Sequence, residues 1–177
     1  MGGVAAMDFA LTYPEVVERL VLLDSAAPVQ GPNMGRFLVP PLGWLATEFL
    51  RNPKVRQSIS EAAYFDTTFA SADAATCTSL HLHCEGWNRS MIGFTRRGGY
   101  NRVTRSQISH LKQPTLILWG EHDRILPKAD LEFLVKTIPN GKLVHVENSG
   151  HVPHLEKSEE TAQHILQFVT SDGRDQY

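Results

Sequence analysis

A chain of 177 residues, 42% of them hydrophobic, is long enough to bury a core and short enough to form a single domain. Seventeen Lys and Arg against nineteen Asp and Glu give a formal net charge of -2, so no global basic field recruits nucleic acid or an anionic membrane surface. No signal-type leader and no apolar run of the roughly 18 residues that span a bilayer is present, and Cys77 and Cys84 form neither a CxxC pair nor a disulfide framework; the expectation is a soluble, cytoplasmic protein with free thiols, organelle import being left open.

In chain order, the first element is a helix from Gly3 to Leu11, apolar on almost every side apart from Asp8 and so expected to be buried all round. Leu20-Val21-Leu22-Leu23 follows as an unbroken apolar run, the pattern of a parallel strand covered on both faces. About ninety residues then separate Asp24 from Thr115, far more than the few loop residues that normally flank a crossover helix. That span reads as an inserted helical lid. Its helix-compatible runs are Phe37 to Leu38, Trp44 to Leu50 and Ser58 to Ala63, broken by Pro40-Pro41 and Pro53. A second buried strand is expected at Thr115 to Trp119. A helix opened by Pro127 runs through Ile138 and is stopped by Pro139-Asn140-Gly141. Lys142 to Val146 alternates, as a sheet-edge strand does, and a helix from Ser158 to Val169 precedes a polar end, Ser171 to Tyr177, expected to fray. Strand, helix, strand, helix is the order of a parallel α/β sheet. The predicted division is 1–27 for the first helix and strand, 28–110 for the lid and 111–177 for the remaining core.

Two strand ends carry the chemistry. Asp123, in Trp119-Gly120-Glu121-His122-Asp123, and His151, in Asn148-Ser149-Gly150-His151-Val152-Pro153-His154, both follow strands at the C-terminal edge, where functional groups collect in open α/β sheets. Neighbouring parallel strands bring such loops together. A carboxylate bonded to one imidazole nitrogen fixes the tautomer and leaves the other nitrogen to act as general base and then general acid. Taken singly, an Asp after a strand is a turn former and a loop His a surface residue; as an ordered pair they specify much more. His81-Leu82-His83-Cys84 offers too few ligands to define a zinc site, so no metal is expected.

With those residues in view, the chain resembles the C-terminal two-thirds of an α/β-hydrolase of the lid-bearing, epoxide-hydrolase-like and meta-cleavage-hydrolase-like kind. The resemblance covers Met1 to Val169. It rests on Met1-Gly2-Gly3 and its helix, on Tyr13-Pro14-Glu15 through Leu23-Asp24, on Trp119 to Asp123, and on Gly150 to Glu156. It implies a Ser-Asp-His triad whose serine lies just before Met1, with Asp123 as acid, His151 as base and the Met1 backbone N–H as an oxyanion donor. It also implies a small-molecule substrate, no cofactor, no nucleic-acid or membrane partner, and a pocket for which Trp87, Val152 and His154 are candidates; oligomeric state is left open. Met1 followed by two glycines resembles the serine branch rather than the aspartate-nucleophile branch, which favours carboxylic esters or related small apolar substrates. Two alternatives stand beside this reading: a catalytically silent truncated product or binding protein, and an epoxide or carbon–carbon bond hydrolase, the latter weakened by Val152 where that branch often carries Trp. Arg89, Arg96, Arg97, Arg102 and Arg105 read as a solvated face before they read as a carboxylate clamp.

Overall fold

The computed structural model describes residues 1–28 and 33–171. Its sheet has three parallel strands in the order β1 (Leu20–Leu23), β2 (Thr115–Gly120), β3 (Gly141–Val146), with Leu20 opposite Thr115 and Thr115 opposite Gly141. β2 is central and buried along its whole length, and β3, at the edge, is half covered. β2 fits its unbroken apolar run and β3 its expected edge position, but the burial along β3 does not alternate.

Side-chain alternation along the strands divides the core into two layers. Leu20, Leu22 and Ile117 face one side, where they meet Val4, Met7 and Ala10 of α1 (Gly2–Thr12) and Leu134 and Ile138 from α7 (Lys128–Thr137) and its C-cap. Leu116, Leu118 and Val146 face the other, where Phe168 and Ile165 of α9 (Ser158–Thr170) cover them. The core covers α1 on one face, and Phe9, with Tyr13 at the C-cap, is exposed. Its polar exception, Asp8, accepts a hydrogen bond from the Tyr100 hydroxyl at 2.8 Å. The expected fraying after Ser171 concerns residues 172–177, which lie outside the described residues.

Between β1 and β2 the insertion is helical: α2 (Leu42–Arg51), α3 (Pro53–Ala63), α4 (Ala72–Ser79), α5 (Trp87–Arg96) and α6 (Arg105–Ile108). Local chemistry sets their starts. Pro53 opens α3 rather than breaking a helix, because at the first helical position its missing N–H is no loss, and Asn52 caps by accepting from Lys54 N at 2.9 Å. Ser71 caps α4, and Thr104 with Gln107 forms a capping box on α6. Asp130 on α7 ties down both roots of the insertion: one carboxylate oxygen accepts from Ala27 N at 3.1 Å, the other from Arg105 at 3.1 Å. Arg105, with its guanidinium also over the Phe133 ring, is therefore a tether rather than a substrate clamp. The remaining short helix, α8 (Pro153–Glu156), follows directly on His151.

Candidate active site

The C-terminal ends of the three strands converge. β2 ends at Gly120, whose added Cβ would collide with the Gly150 carbonyl oxygen; only glycine lets the loops after β2 and β3 approach so closely. His122 N donates to Ser149 O at 2.9 Å across the same gap. This register delivers Asp123 to His151.

The Asp123 side chain is fully buried. Its Oδ1 accepts from the backbone N–H groups of Ile125 at 2.7 Å and Leu126 at 3.1 Å, and its Oδ2 lies 2.9 Å from His151 Nδ1. Burial pushes this carboxyl up, but the bonds from His151, Ile125 and Leu126 outweigh it, and the net shift is below the ordinary carboxylate range. An ionised Asp123 places the ring proton on Nδ1 and leaves Nε2 of the partly exposed His151 as a proton acceptor.

Asp24, the residue after β1, adds a second carboxyl that no reading of the sequence singled out as a site residue. It is 5% exposed and adopts the left-handed backbone conformation at φ 37°. Its Oδ1 accepts from Gly120 N at 2.9 Å, whereas its buried Oδ2 has no hydrogen-bond partner among the described residues. Burial chiefly, with the charge of Asp123 beside it, pushes Asp24 up to about 7 against the pull of Gly120 N. One side-chain O or N atom from each of Asp24, Asp123 and His151 lies within 4.8 Å of the others, the one such cluster of His, Cys, Asp or Glu side chains among the described residues. The segment His81-Leu82-His83-Cys84 gathers no such set there: Leu82 is buried, Cys84 is exposed, and the His81 ring tilts against Trp87. Asp24 was detectable by the rule that found Asp123, since both lie at the C-terminal end of a parallel strand, Asp24 directly after β1 and Asp123 in the loop after β2.

Glu156 is a further residue that the sequence left without a role. Its Oε2 accepts from Gly150 N at 2.6 Å and from Ser149 Oγ at 3.4 Å. Its Oε1 accepts from Phe65 N at 2.8 Å and Asp66 N at 3.0 Å, at the exit of α3. Ala63 O receives His151 N at 2.8 Å, and the Phe65 ring stacks on His122 at 4.4 Å. The insertion is thus strapped to both loops of the site within four residues.

The other predicted site residues lie at varying removes. Val152 precedes α8 and is half-buried beside His151. His154 reaches solvent, yet partial burial and the charge of His151 push it below its ordinary value. Trp87 is buried at the start of α5 under the Arg51 guanidinium, 5.0 Å from its centroid, so its contacts are within the insertion. Met1 caps α1 and is exposed; its carbonyl accepts from Ala5 N at 3.2 Å. Among the described residues no helix is long and apolar enough to cross a membrane.

Comparison with known proteins adds context. A family model described as the alpha/beta hydrolase fold matches residues 1–158. The chain is 28% identical over 96% of its length to the alpha/beta hydrolase domain-containing protein VTE7 of Arabidopsis thaliana, of which it covers 51%. It is 27% identical, again over 96% of its length, to a 2-hydroxy-6-oxononadienedioate/2-hydroxy-6-oxononatrienedioate hydrolase of Burkholderia vietnamiensis, covering 59% of that protein. Among solved structures, 2-hydroxy-6-oxo-6-phenylhexa-2,4-dienoate hydrolase from Rhodococcus sp. strain RHA1 superposes with a TM-score of 0.72 at 17% identity, over 97% of this chain and 62% of that one. The chain therefore spans between half and two-thirds of the length of these relatives.

Proposed function

The chain belongs to the α/β-hydrolase family, and from that premise we propose that Asp123 and His151 are the acid and the base of a Ser-Asp-His hydrolase acting on carboxylic esters or related small apolar substrates. The observation that carries this reading is the 2.9 Å bond between Asp123 Oδ2 and His151 Nδ1, with Asp123 Oδ1 already saturated by two backbone donors. The nucleophile in this reading is a serine on a segment preceding Met1, at the turn that opens α1.

His151 Nε2 takes the serine proton as the oxygen attacks the substrate carbonyl, and the imidazolium so formed is stabilised by Asp123. The carbonyl oxygen becomes an oxyanion, for which Met1 N–H is one donor. Collapse expels the leaving group, which receives the proton from Nε2, and leaves an acyl-serine. Water then repeats the sequence: Nε2 takes its proton, the second tetrahedral intermediate collapses, and the carboxylic acid leaves as the serine regains its proton. The insertion acts as the lid over this centre, with Val152 and His154, next to His151, as pocket residues, while Trp87 packs inside the insertion.

A second reading, hydrolysis of a carbon–carbon bond in a 2-hydroxy-6-oxo-dienoate, is favoured by the activity that names the Burkholderia relative. Comparing turnover of nitrophenyl esters with that of such a dienoate, on a serine-bearing form, separates the two. The general assignment is tested by a fluorophosphonate probe. A form extended upstream through the serine is expected to label stoichiometrically, about a thousandfold more slowly or worse after His151→Ala. Stoichiometric labelling of the 177-residue chain by itself overturns the placement of the nucleophile.

A further inference from the structure

The acid loop contains more acceptors than donors. Around Asp24 and Asp123 the donors are all committed: Gly120 N to Asp24 Oδ1, Asp24 N to Leu118 O, Ile125 N and Leu126 N to Asp123 Oδ1, and His151 Nδ1 to Asp123 Oδ2. Among the described residues nothing donates to the buried Asp24 Oδ2. An ionised oxygen in that position is heavily penalised, and a second full charge beside Asp123 adds repulsion. A proton on Oδ2 removes both problems, because it neutralises Asp24 and turns the orphan acceptor into a donor aimed at the neighbouring carboxylate.

We propose that Asp24 is a positioning residue of this site: it holds a proton on Oδ2 and donates it to the Asp123 carboxylate, so that the two carboxyl groups carry one negative charge between them opposite His151. This deepens the acid–base reading of Asp123 and His151 and rests on it. The main chain is shaped for the role. Asp24 occupies the left-handed region, an uncommon conformation that Asp tolerates better than most residues, and there its Oδ1 closes onto Gly120 N in the turn leading to Asp123. The titratable groups acting on Asp24 are Asp123, from the loop after β2, and His151, from the loop after β3. While Asp24 keeps its proton, His151 faces one negative charge; once the proton leaves, it faces two. Asp24 and Asp123 therefore titrate as one coupled pair.

The test is nuclear magnetic resonance on protein labelled with 13C at aspartate Cγ and 15N at histidine, titrated from pH 4 to 9. Asp24 is expected to inflect near neutrality, with Asp123 titrating below the ordinary carboxylate range. Asp24→Asn preserves an acceptor for Gly120 N and a donor for Asp123 but cannot ionise, so the near-neutral carboxyl inflection is expected to vanish. An Asp24 inflection below pH 5, or a near-neutral aspartate inflection that persists in Asp24→Asn, overturns the proposal. If Asp24→Asn fails to fold, the wild-type Asp24 inflection decides alone. The same spectra keep the underlying reading separate: a His151 ring without a proton on Nδ1 at neutral pH refutes the acid–base pair itself, whereas Nδ1 protonated beside an Asp24 of ordinary titration refutes only the role of Asp24.

Discussion

The substitution Glu156→Gln exchanges one carboxylate oxygen for an NH2 group and should loosen the contact between the insertion and the loop bearing His151. The carboxylate serves four donors, two per oxygen: Gly150 N and Ser149 Oγ on one, Phe65 N and Asp66 N on the other. An amide has one acceptor oxygen, so whichever way the introduced side chain turns, its NH2 group confronts a pair of donors. The favoured choice keeps the oxygen on the partly buried Gly150 N, where the bond is shortest, and sets the NH2 group against the exposed amides of Phe65 and Asp66. Hydrogen bonds to a charged group contribute about 1.5–3 kcal/mol each when shielded, and less where water competes. Losing the charge at Gly150 and both bonds at the insertion should cost about 2–3 kcal/mol, or roughly 4–10 °C in Tm for a chain of this size. Urea denaturation gives the free energy, and amide hydrogen exchange gives the place. Protection should fall at Phe65 and Asp66 and persist in β2. A loss below about 0.5 kcal/mol, with exchange at those amides unchanged, would refute the claim that Glu156 straps the insertion to the site.

In a serine-bearing form, Asp123→Asn should leave the circular dichroism spectrum intact and lower turnover by about ten-thousandfold, because the amide favours the wrong imidazole tautomer; wild-type turnover would remove Asp123 from the mechanism. Gly120→Ala drives a methyl group into the Gly150 carbonyl, a backbone atom that cannot swing aside, and should cost about 1–3 kcal/mol or more while parting His151 from Asp123; a variant as stable as the parent, with its His151 Nδ1 proton still detected, contradicts the close approach of the two loops. The two aspartates should act on stability in opposite pH windows. Asp123 sits below its ordinary value, so its contribution is present above about pH 4 and is lost as pH falls through its depressed folded value; Asp24 is pushed up to about 7, so native protein keeps a proton that unfolded chain has lost, and stability declines as pH rises from about 4 to 7 at up to about 1.4 kcal/mol per unit. Asp24→Asn should abolish the second slope and spare the first; urea midpoints at pH 5, 6, 7 and 8 that are flat in the parent, or equally sloped in the variant, speak against it.

What the sequence disclosed and what it withheld follow from how local the governing interactions are. β2 was legible because Leu116, Ile117, Leu118 and Trp119 are apolar without alternation, and a strand covered on both faces needs that pattern whatever covers it. β3 was legible as an edge from Lys142 and His145, both exposed within a run of apolar residues, although its burial does not alternate as the sequence pattern suggested. The contact between Asp123 and His151 followed from two strand ends being parallel and adjacent. The strap at Glu156 was not legible, since its partners at Phe65 and Asp66 lie some ninety residues away and no periodicity records them. Asp24 is the sharper case. Its local signal, an aspartate directly after buried strand residues, is nearly that of Asp123, so sequence alone ranks the two together. Donor count distinguishes them: Asp123 receives two backbone N–H groups and an imidazole, enough to hold a buried charge, whereas Asp24 receives only Gly120 N. Of two buried carboxyl groups this close, the one with three donors ionises and the one with a single donor keeps the proton, and that asymmetry exists only once three strands far apart in sequence have brought their ends together.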